Sequence, residues 1–563
     1  MGQVLHYIRH LAESPVRIQG HLLDLVQYIL GIHALQTSVA AASVVVDTSL
    51  DSKTLGLPVI PMNDPVSTIP NPRRPFHWYR SLGLALVAVI AAAVLLKSLL
   101  PHRLHVESTK ATAQDATRIR IAIGTQDTTI NCAAGGPVVR ELKLLDKYLP
   151  HEGKYKNVKF DVQWESQPTG GQLNTKFLNN QLDIVQMADF PAVIGATAFL
   201  DAGADVHSVY IATLSGSIDG SGNAILVPVN SKIQSVSELK GKTISVPFVS
   251  TAHAMLLRAI ADQGWDPSKD VNIITQTPEV AGSALRSGQI DAHADFVPFG
   301  ELFPFRGFAR KIFDGSSTHV TTTHGIQTRS DFASKYPELV VAYLKATIEA
   351  SRLLQAAPEV ISEKLAQWTG IEAEVYYAFH GPHGIQTRDY SLKPEFIEAI
   401  RRAVQTAKLL KKIKREVDIA RFIDDRYVRQ AARELGDDYD ARLADYAPVP
   451  FVDKDYQDHQ AVNDPKSAGQ IWVAGEPKVR IYKSIRDTFV GLDKLQGAGS
   501  MARVTFVHDQ SSGLKLFADK AWYVAHDGQF AAFLEKDKAE QWAKEHRAAV
   551  LTYVLARKQT TPQ

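Results

Sequence analysis

Cysteine is almost missing from this sequence: Cys132 is the only one in 563 residues. A single thiol closes no internal disulfide and supplies neither a zinc nor an iron–sulfur ligand set. A dominant charge sign is missing as well, because 62 Lys and Arg face 60 Asp and Glu, and this balance argues against a nucleic-acid partner. P-loop, dinucleotide fingerprint, nucleophile elbow and zincin motif are all absent, so the residues offer no catalytic machinery, no cofactor site and no metal site. What is present is globular. Hydrophobic residues make up 45% and charged residues 22% of a chain too long for one core, so two or more folded units are expected.

Only one long apolar run occurs, LGLALVAVIAAAVLL at residues 82–96, preceded by Arg73, Arg74, His77, Trp78, Tyr79 and Arg80. A basic flank, an aromatic border and an apolar stretch form a signal peptide or signal anchor, which the segment 82–100 completes if Lys97 snorkels. Residues 111–113, Ala-Thr-Ala, are a small-x-small cleavage candidate but lie well past the run, which favours an uncleaved anchor in the inner membrane. Residues 1–72 read as a disordered or non-native extension, with Met62 a possible true start. These features predict a periplasmic protein.

After a polar linker at residues 101–117, strand and helix patterns alternate. RIRIAIG (118–124), NVKFDVQWE (157–165) and DIVQMAD (183–189) read as strands; GPVVRELKLLDKYL (136–149), GGQLNTKFLNNQ (170–181) and PAVIGATAFLDAG (191–203) read as helices. Further strands are expected at 206–214, 224–229, 243–248, 271–276 and 292–297, with a helix at 251–264. This rhythm gives βαβ units on a largely parallel sheet. From Ser330 long amphipathic helices follow with hardly a strand, as in a chain that crosses between two lobes and returns to the first.

The blocks SVSELKGKTISV, STAHAMLLRAI, DA-x-A-x-F-x-P-F and DFASKYPELVVAYLKATIEAS occur in order within residues 118–435. Together they resemble the nitrate, sulfonate and taurine-binding family of periplasmic receptors. The resemblance implies an α/β, type II two-lobed periplasmic-binding-protein fold, with lobe 1 at 118–214 and 322–440 and lobe 2 at 215–321. It also implies a non-enzymatic solute-binding component of an ABC importer, with permease and ATPase subunits as partners and a small anion as ligand. A pyrimidine synthase on the same fold is an alternative, but its cysteine-rich iron-site motif is absent; a periplasmic sensor or metallochaperone is another.

In open α/β sheets, ligands bind beyond the carboxyl ends of strands, where helix N-termini present free N–H groups suited to anions. The resemblance places four loops at that cleft. From the first come Gln126, Thr128, Thr129 and Asn131; from the second, Gly170 and Gly171, which permit close backbone approach or simply turn into a helix. The third supplies Asp189, suited to an ammonium group or merely a loop acid, and Phe190. The fourth supplies Ser250 as N-cap, Thr251 and His253. Asp295, Phe296 and Phe299 match the block that faces the cleft from lobe 2, with core packing the alternative for Phe299. The hexapeptide HGIQTR occurs at 324–329 and again at 383–388 with no period around it and reads as coincidence; the basic stretch 401–415 reads as a solvated helix face.

Residues 441–470 form a Pro-containing linker. The tail at 471–563 carries KAWYV, AAF and AE-x-x-x-x-EH, which resemble the later part of the NosL copper-chaperone family. Copper(I) prefers sulfur ligands, and this tail has only Met501. The resemblance therefore implies a small α+β accessory or docking domain, with His508, His526 and His546 as scattered histidines.

Overall fold

The computed structural model describes residues 117–203, 205–444 and 449–560. The segment expected to anchor the chain, the expected linker before residue 117 and the early extension lie outside them. Among the described residues, no helix is long and apolar enough to cross a membrane.

Two five-stranded sheets dominate. The first contains β1 (Thr117–Thr125), β2 (Val158–Ser166), β3 (Ile184–Ala188), β4 (Ser208–Ser217) and β10 (Thr322–Arg329), in the order β2-β1-β3-β10-β4. The second contains β5 (Ala224–Pro228), β6 (Thr243–Val246), β7 (Asn272–Thr275), β8 (Ala292–Asp295) and β9 (Ala309–Asp314), in the order β7-β6-β8-β5-β9. β1 is parallel to β2 and β3, and β6 is parallel to β7 and β8. In each sheet the fourth place is filled, antiparallel, by the strand arriving from the other half: β10 in the first and β5 in the second. This reciprocal exchange is the two-lobed architecture, and it aims the carboxyl ends of β1, β3, β6 and β8 at a common opening.

Two crossovers, residues 218–223 and 315–321, join the halves. They touch at Gly220 and Gly315. A Cβ on Gly315 would lie 2.2 Å from the Gly220 carbonyl oxygen, and one on Gly220, whose φ is +95°, would lie 2.6 Å from the Val320 oxygen. Only glycine permits that approach.

Helices cover the sheets because their apolar faces repeat at helical spacing. In Pro337–Ala356, Leu339, Val340, Tyr343, Leu344, Thr347, Ile348 and Leu354 are all buried. One expected helix is different. In place of a helix at 136–149 there is a π-type turn at Ala134–Val138, a short helix Val139–Glu141 and then turns, because Lys143 adopts φ +53° and ends the helical path. The return segment after residue 357 is tied to the first half through the Thr387–Gly216 backbone pairing and the Tyr390 carbonyl, which accepts from Thr213 N.

The C-terminal unit is a duplication. β11 (Gly469–Val473), β12 (Arg480–Tyr482), the helix Ile485–Gly497 and β13 (Ala502–His508) form one ββαβ motif, extended by β14 (Lys515–Phe517). β15 (Trp522–His526), β16 (Gln529–Phe533), the helix Lys536–Glu545 and β17 (Val550–Thr552) form another. Both sheets run second-first-third: β12-β11-β13-β14 and β16-β15-β17. The unit contacts both halves of the two-sheet body. Phe517 packs on Phe305 with ring centres 5.3 Å apart, and Glu535 and Lys538 meet Ser317 of the second crossover. On the other side Arg503 donates to Glu374 at 2.8 Å and to Glu363 at 2.7 Å, and Lys515 Nζ donates to the Pro382 carbonyl.

Candidate functional site

A cavity of about 70 Å³ lies between the halves. Its first-half wall begins where β1 ends. Gln126, Thr129 and Asn131 are buried there, at 4%, 2% and 5% exposure, in a loop wound back on itself by the bonds from Thr129 N to the Gln126 carbonyl and from Cys132 N to the Thr129 carbonyl. Thr169, Gly170 and Gly171 open the helix Gly170–Leu178, and Pro191 sits in the first turn of the helix Asp189–Asp201. A Cβ on Gly170 would lie 2.8 Å from Pro191 Cβ, so glycine lets two helix starts meet at the opening.

The facing wall comes from Pro247 to Thr251, with Asn223, Phe296 and Val297. Ser250 caps the helix Thr251–Asp262: its Oγ accepts from His253 N at 3.2 Å and donates to the Pro247 carbonyl at 2.6 Å. Its proton is therefore already engaged, and what the helix offers the cavity is its remaining N-terminal amides. Thr251 Oγ1 donates to Asn223 Oδ1 at 2.9 Å. Val249 holds φ +61°, a left-handed conformation in which a β-branched side chain is strained, at the tip of this wall.

Some of the polar groups lining the cavity are left unpaired. Asn131 Nδ2 donates to Gln386 Oε1 at 2.8 Å, while Asn131 Oδ1 and Thr129 Oγ1 are buried without partners. His324 forms part of the wall, 3.3 Å by its Nε2 from Cys132 Sγ. Burial pushes the His324 imidazole down to about 3 and the Cys132 thiol up to about 12, so both are neutral at ordinary pH.

The chain matches the NMT1-like family over residues 150–370. It is 27% identical over 321 residues to a candidate aliphatic sulfonates-binding protein of Escherichia coli K12, an alignment covering 56% of this chain and 92% of that one. It is 26% identical over 220 residues to the taurine-binding periplasmic protein of the same organism, covering 37% and 64%. Among solved structures it is similar to the alkanesulfonate-binding protein SsuA of Xanthomonas axonopodis pv. citri bound to MOPS. There the TM-score is 0.45 at 22% identity, with 55% of this chain and 98% of that chain covered. The desulfurization enzyme DszB gives a TM-score of 0.43 at 13% identity, covering 57% and 99%.

The structure brings together Gln126, Thr129, Asn131, Gly170, Gly171, Ser250, Thr251 and Phe296 from the sequence-derived residues. Six others lie elsewhere. Thr128 is half-buried in the same loop but outside the cavity wall. Asp189 spends both oxygens inside the first half, accepting from Phe190 N at 2.6 Å and Thr323 N at 3.0 Å, with burial pushing its carboxyl up to about 7; it is no free partner for an ammonium group. Phe190 is core. His253 is buried and stacks on Phe248 with ring centres 4.8 Å apart. Asp295, wholly buried, accepts from Phe296 N and ends a chain of Ser245, His293 and Asp295 with contacts of 2.8 and 2.7 Å. That chain has the residue types of a hydrolytic triad, but all three members are fully buried in the second half, where no substrate reaches. Phe299 packs against Phe296 and Phe303 in the core.

Sequence reasoning missed Thr322, Thr323, His324 and Gln386, which line the cavity from β10 and the return segment. The signal was there. Both copies of HGIQTR border this site, the first through His324 and the second through Gln386. In the tail, His508 is fully buried against His383 and Phe451, whereas His526 faces His546 at 4.8 Å. Among the described residues no three His, Cys, Asp or Glu side chains converge as a metal site.

Proposed function

We propose that this chain is the solute-binding component of an ABC importer, that it takes a small anion of the sulfonate, taurine or nitrate kind between its two halves, and that it performs no chemistry on it. One observation carries the reading: three helix N-termini, at Gly170–Leu178, Asp189–Asp201 and Thr251–Asp262, contribute to the wall of one cavity between the two halves. Aligned peptide dipoles and free N–H groups make such places favourable for anions. Supporting it, the relatives are named for sulfonate and taurine binding.

In this reading residues 118–214 and 322–440 form one lobe and 215–321 the other. Residues 82–100 hold the chain to the inner membrane facing the periplasm, and residues 471–563 are a NosL-like accessory unit that stabilises the receptor. Permease and ATPase subunits are the partners.

A thiol enzyme is the reading that the Cys132–His324 contact would favour. It is disfavoured because the thiol is fully buried and the imidazole cannot hold the proton at neutral pH. The test is a thermal-shift screen of the full chain against methanesulfonate, taurine, nitrate, acetate and neutral heterocycles. Stabilisation by at least one small acid is expected; a response confined to neutral heterocycles refutes the anion reading.

A further inference from the structure

Arg388 is a buried guanidinium with no carboxylate partner among the described residues. The residue is 5% exposed. Its Nε contacts His380 Nδ1 at 2.7 Å and its Nη2 contacts His380 Nε2 at 2.7 Å, but a neutral imidazole has one lone pair to offer, and burial keeps His380 neutral. Nη2 also donates to the Ile130 carbonyl at 3.0 Å, and Nη1 has no partner. The adjacent acid, Asp389, is engaged with Lys393 at 3.2 Å. Desolvation pulls Arg388 down to about 9, which still leaves it charged at neutral pH, while Tyr376 and Cys132, the groups whose anionic forms would balance it, stay protonated. Buried charges are ordinarily paired, because removing a guanidinium from water without a counter-charge is costly.

The position of this charge is informative. Arg388 borders a narrow gap, too small for a water molecule, together with Ser215, Asn131 and Gln386. Asn131 and Gln386 also line the cavity between the halves, so the guanidinium lies one side-chain layer beneath the wall of the candidate site. Burial first, and then the charge of Arg388, lower the basicity of His324, which lines the cavity. Water screens less at such depth than at the surface, so part of the charge's field reaches the cavity.

We propose that Arg388 is the specificity-determining cation of the site, with the bound anion serving as its missing counter-charge across the Asn131–Gln386 layer. It acts through the field and touches no ligand atom. The ligand class is thereby a net anion, in preference to neutral molecules of the same shape. This inference rests on the solute-binding reading above and extends it to the origin of charge selection.

The experiment uses matched pairs that differ in charge and little in shape: methanesulfonate with methanesulfonamide, and acetate with acetamide. Binding is measured by calorimetry on the full chain, the Arg388→Met and Arg388→Gln variants, and Arg388→Lys, with folding checked by circular dichroism. The wild-type chain is expected to prefer the anion of a pair, Arg388→Met and Arg388→Gln to lose about tenfold or more of that preference with the neutral partner's binding unchanged, and Arg388→Lys to retain it. If Met proves too disruptive to fold, the Gln and Lys variants carry the comparison. A folded Met or Gln variant with the wild-type preference, or a Lys variant that loses it, overturns the proposal and leaves the solute-binding reading standing. A wild-type chain that binds no anion of the panel overturns both.

Discussion

Asn131 and Gln386 are locked in a single orientation. Gln386 Nε2 donates to the Ser221 carbonyl at 2.8 Å, and a backbone carbonyl only accepts, so Gln386 turns its oxygen toward Asn131 and takes a hydrogen bond from Asn131 Nδ2. Asn131 Oδ1 is then a buried acceptor without a donor in the wall of the cavity. A ligand bearing an N–H or O–H beside its acid group satisfies it. 2-Hydroxyethanesulfonate is expected to bind more tightly than ethanesulfonate by about 1 kcal/mol, the net worth of one hydrogen bond. Asn131→Leu should abolish the difference, as measured by calorimetry.

Ser250→Ala removes the hydroxyl acceptor for His253 N at the head of the helix Thr251–Asp262, leaving only the Ser250 carbonyl at 3.1 Å. Loss of such a cap costs about 1 kcal/mol of stability. The loosened helix start should also diminish the thermal shift produced by an anion. Melting curves with and without ligand separate the two effects, and an undiminished shift would detach this helix from the site.

Lys515 is buried over the rings of Tyr377 and Phe506, and desolvation drags its ammonium down to about 7. Below the ordinary lysine value the unfolded chain therefore holds a proton that the folded one releases. Between pH 7 and about 10.4 stability should rise with pH, and it should be lower at and below pH 7. Lys515→Met, which removes the charge together with the bond to the Pro382 carbonyl, should flatten that slope. Denaturant titrations at pH 6, 7.5 and 9 check the sign.

Cys132 is wholly buried and its thiol is pushed up to about 12. It should resist thiol reagents in the native protein and react stoichiometrically once the chain is unfolded. Fast native labelling would restore the thiol reading.

Arg503→Ala strips the C-terminal unit of its bonds to Glu363 and Glu374. These groups are partly exposed, so the loss in stability should be modest, about 1 kcal/mol or less. Amide exchange in β11 and β13 should quicken more than in β1 and β3. Equal quickening in both would show that the unit is not held by this contact.

Much of the fold was legible in the residues because period-2 and period-3.6 patterns survive in the strands and helices that bury one face. β1, β3, β8 and the helix at Thr251 fall where the patterns put them. The segment 136–149 was not, because a helical pattern of apolar residues also serves a run of turns once Lys143 takes a positive φ. Half of the site was legible for a similar reason: loops after strands and N-caps leave local signatures, as at Ser250. The other half comes from β10 and from Gln386, which reaches Asn131 from 255 positions away. No local pattern encodes that reach. Asp189 and Asp295 misled because a carboxylate at a strand end reads alike whether it faces a ligand or caps the next backbone N–H.

The small duplicated unit at the C-terminus touches Phe305 and Ser317 on one side and Glu363, Glu374 and Pro382 on the other. Any parting of the two halves would therefore have to break or carry along contacts of this unit, which ties such a motion to residues remote from the cavity.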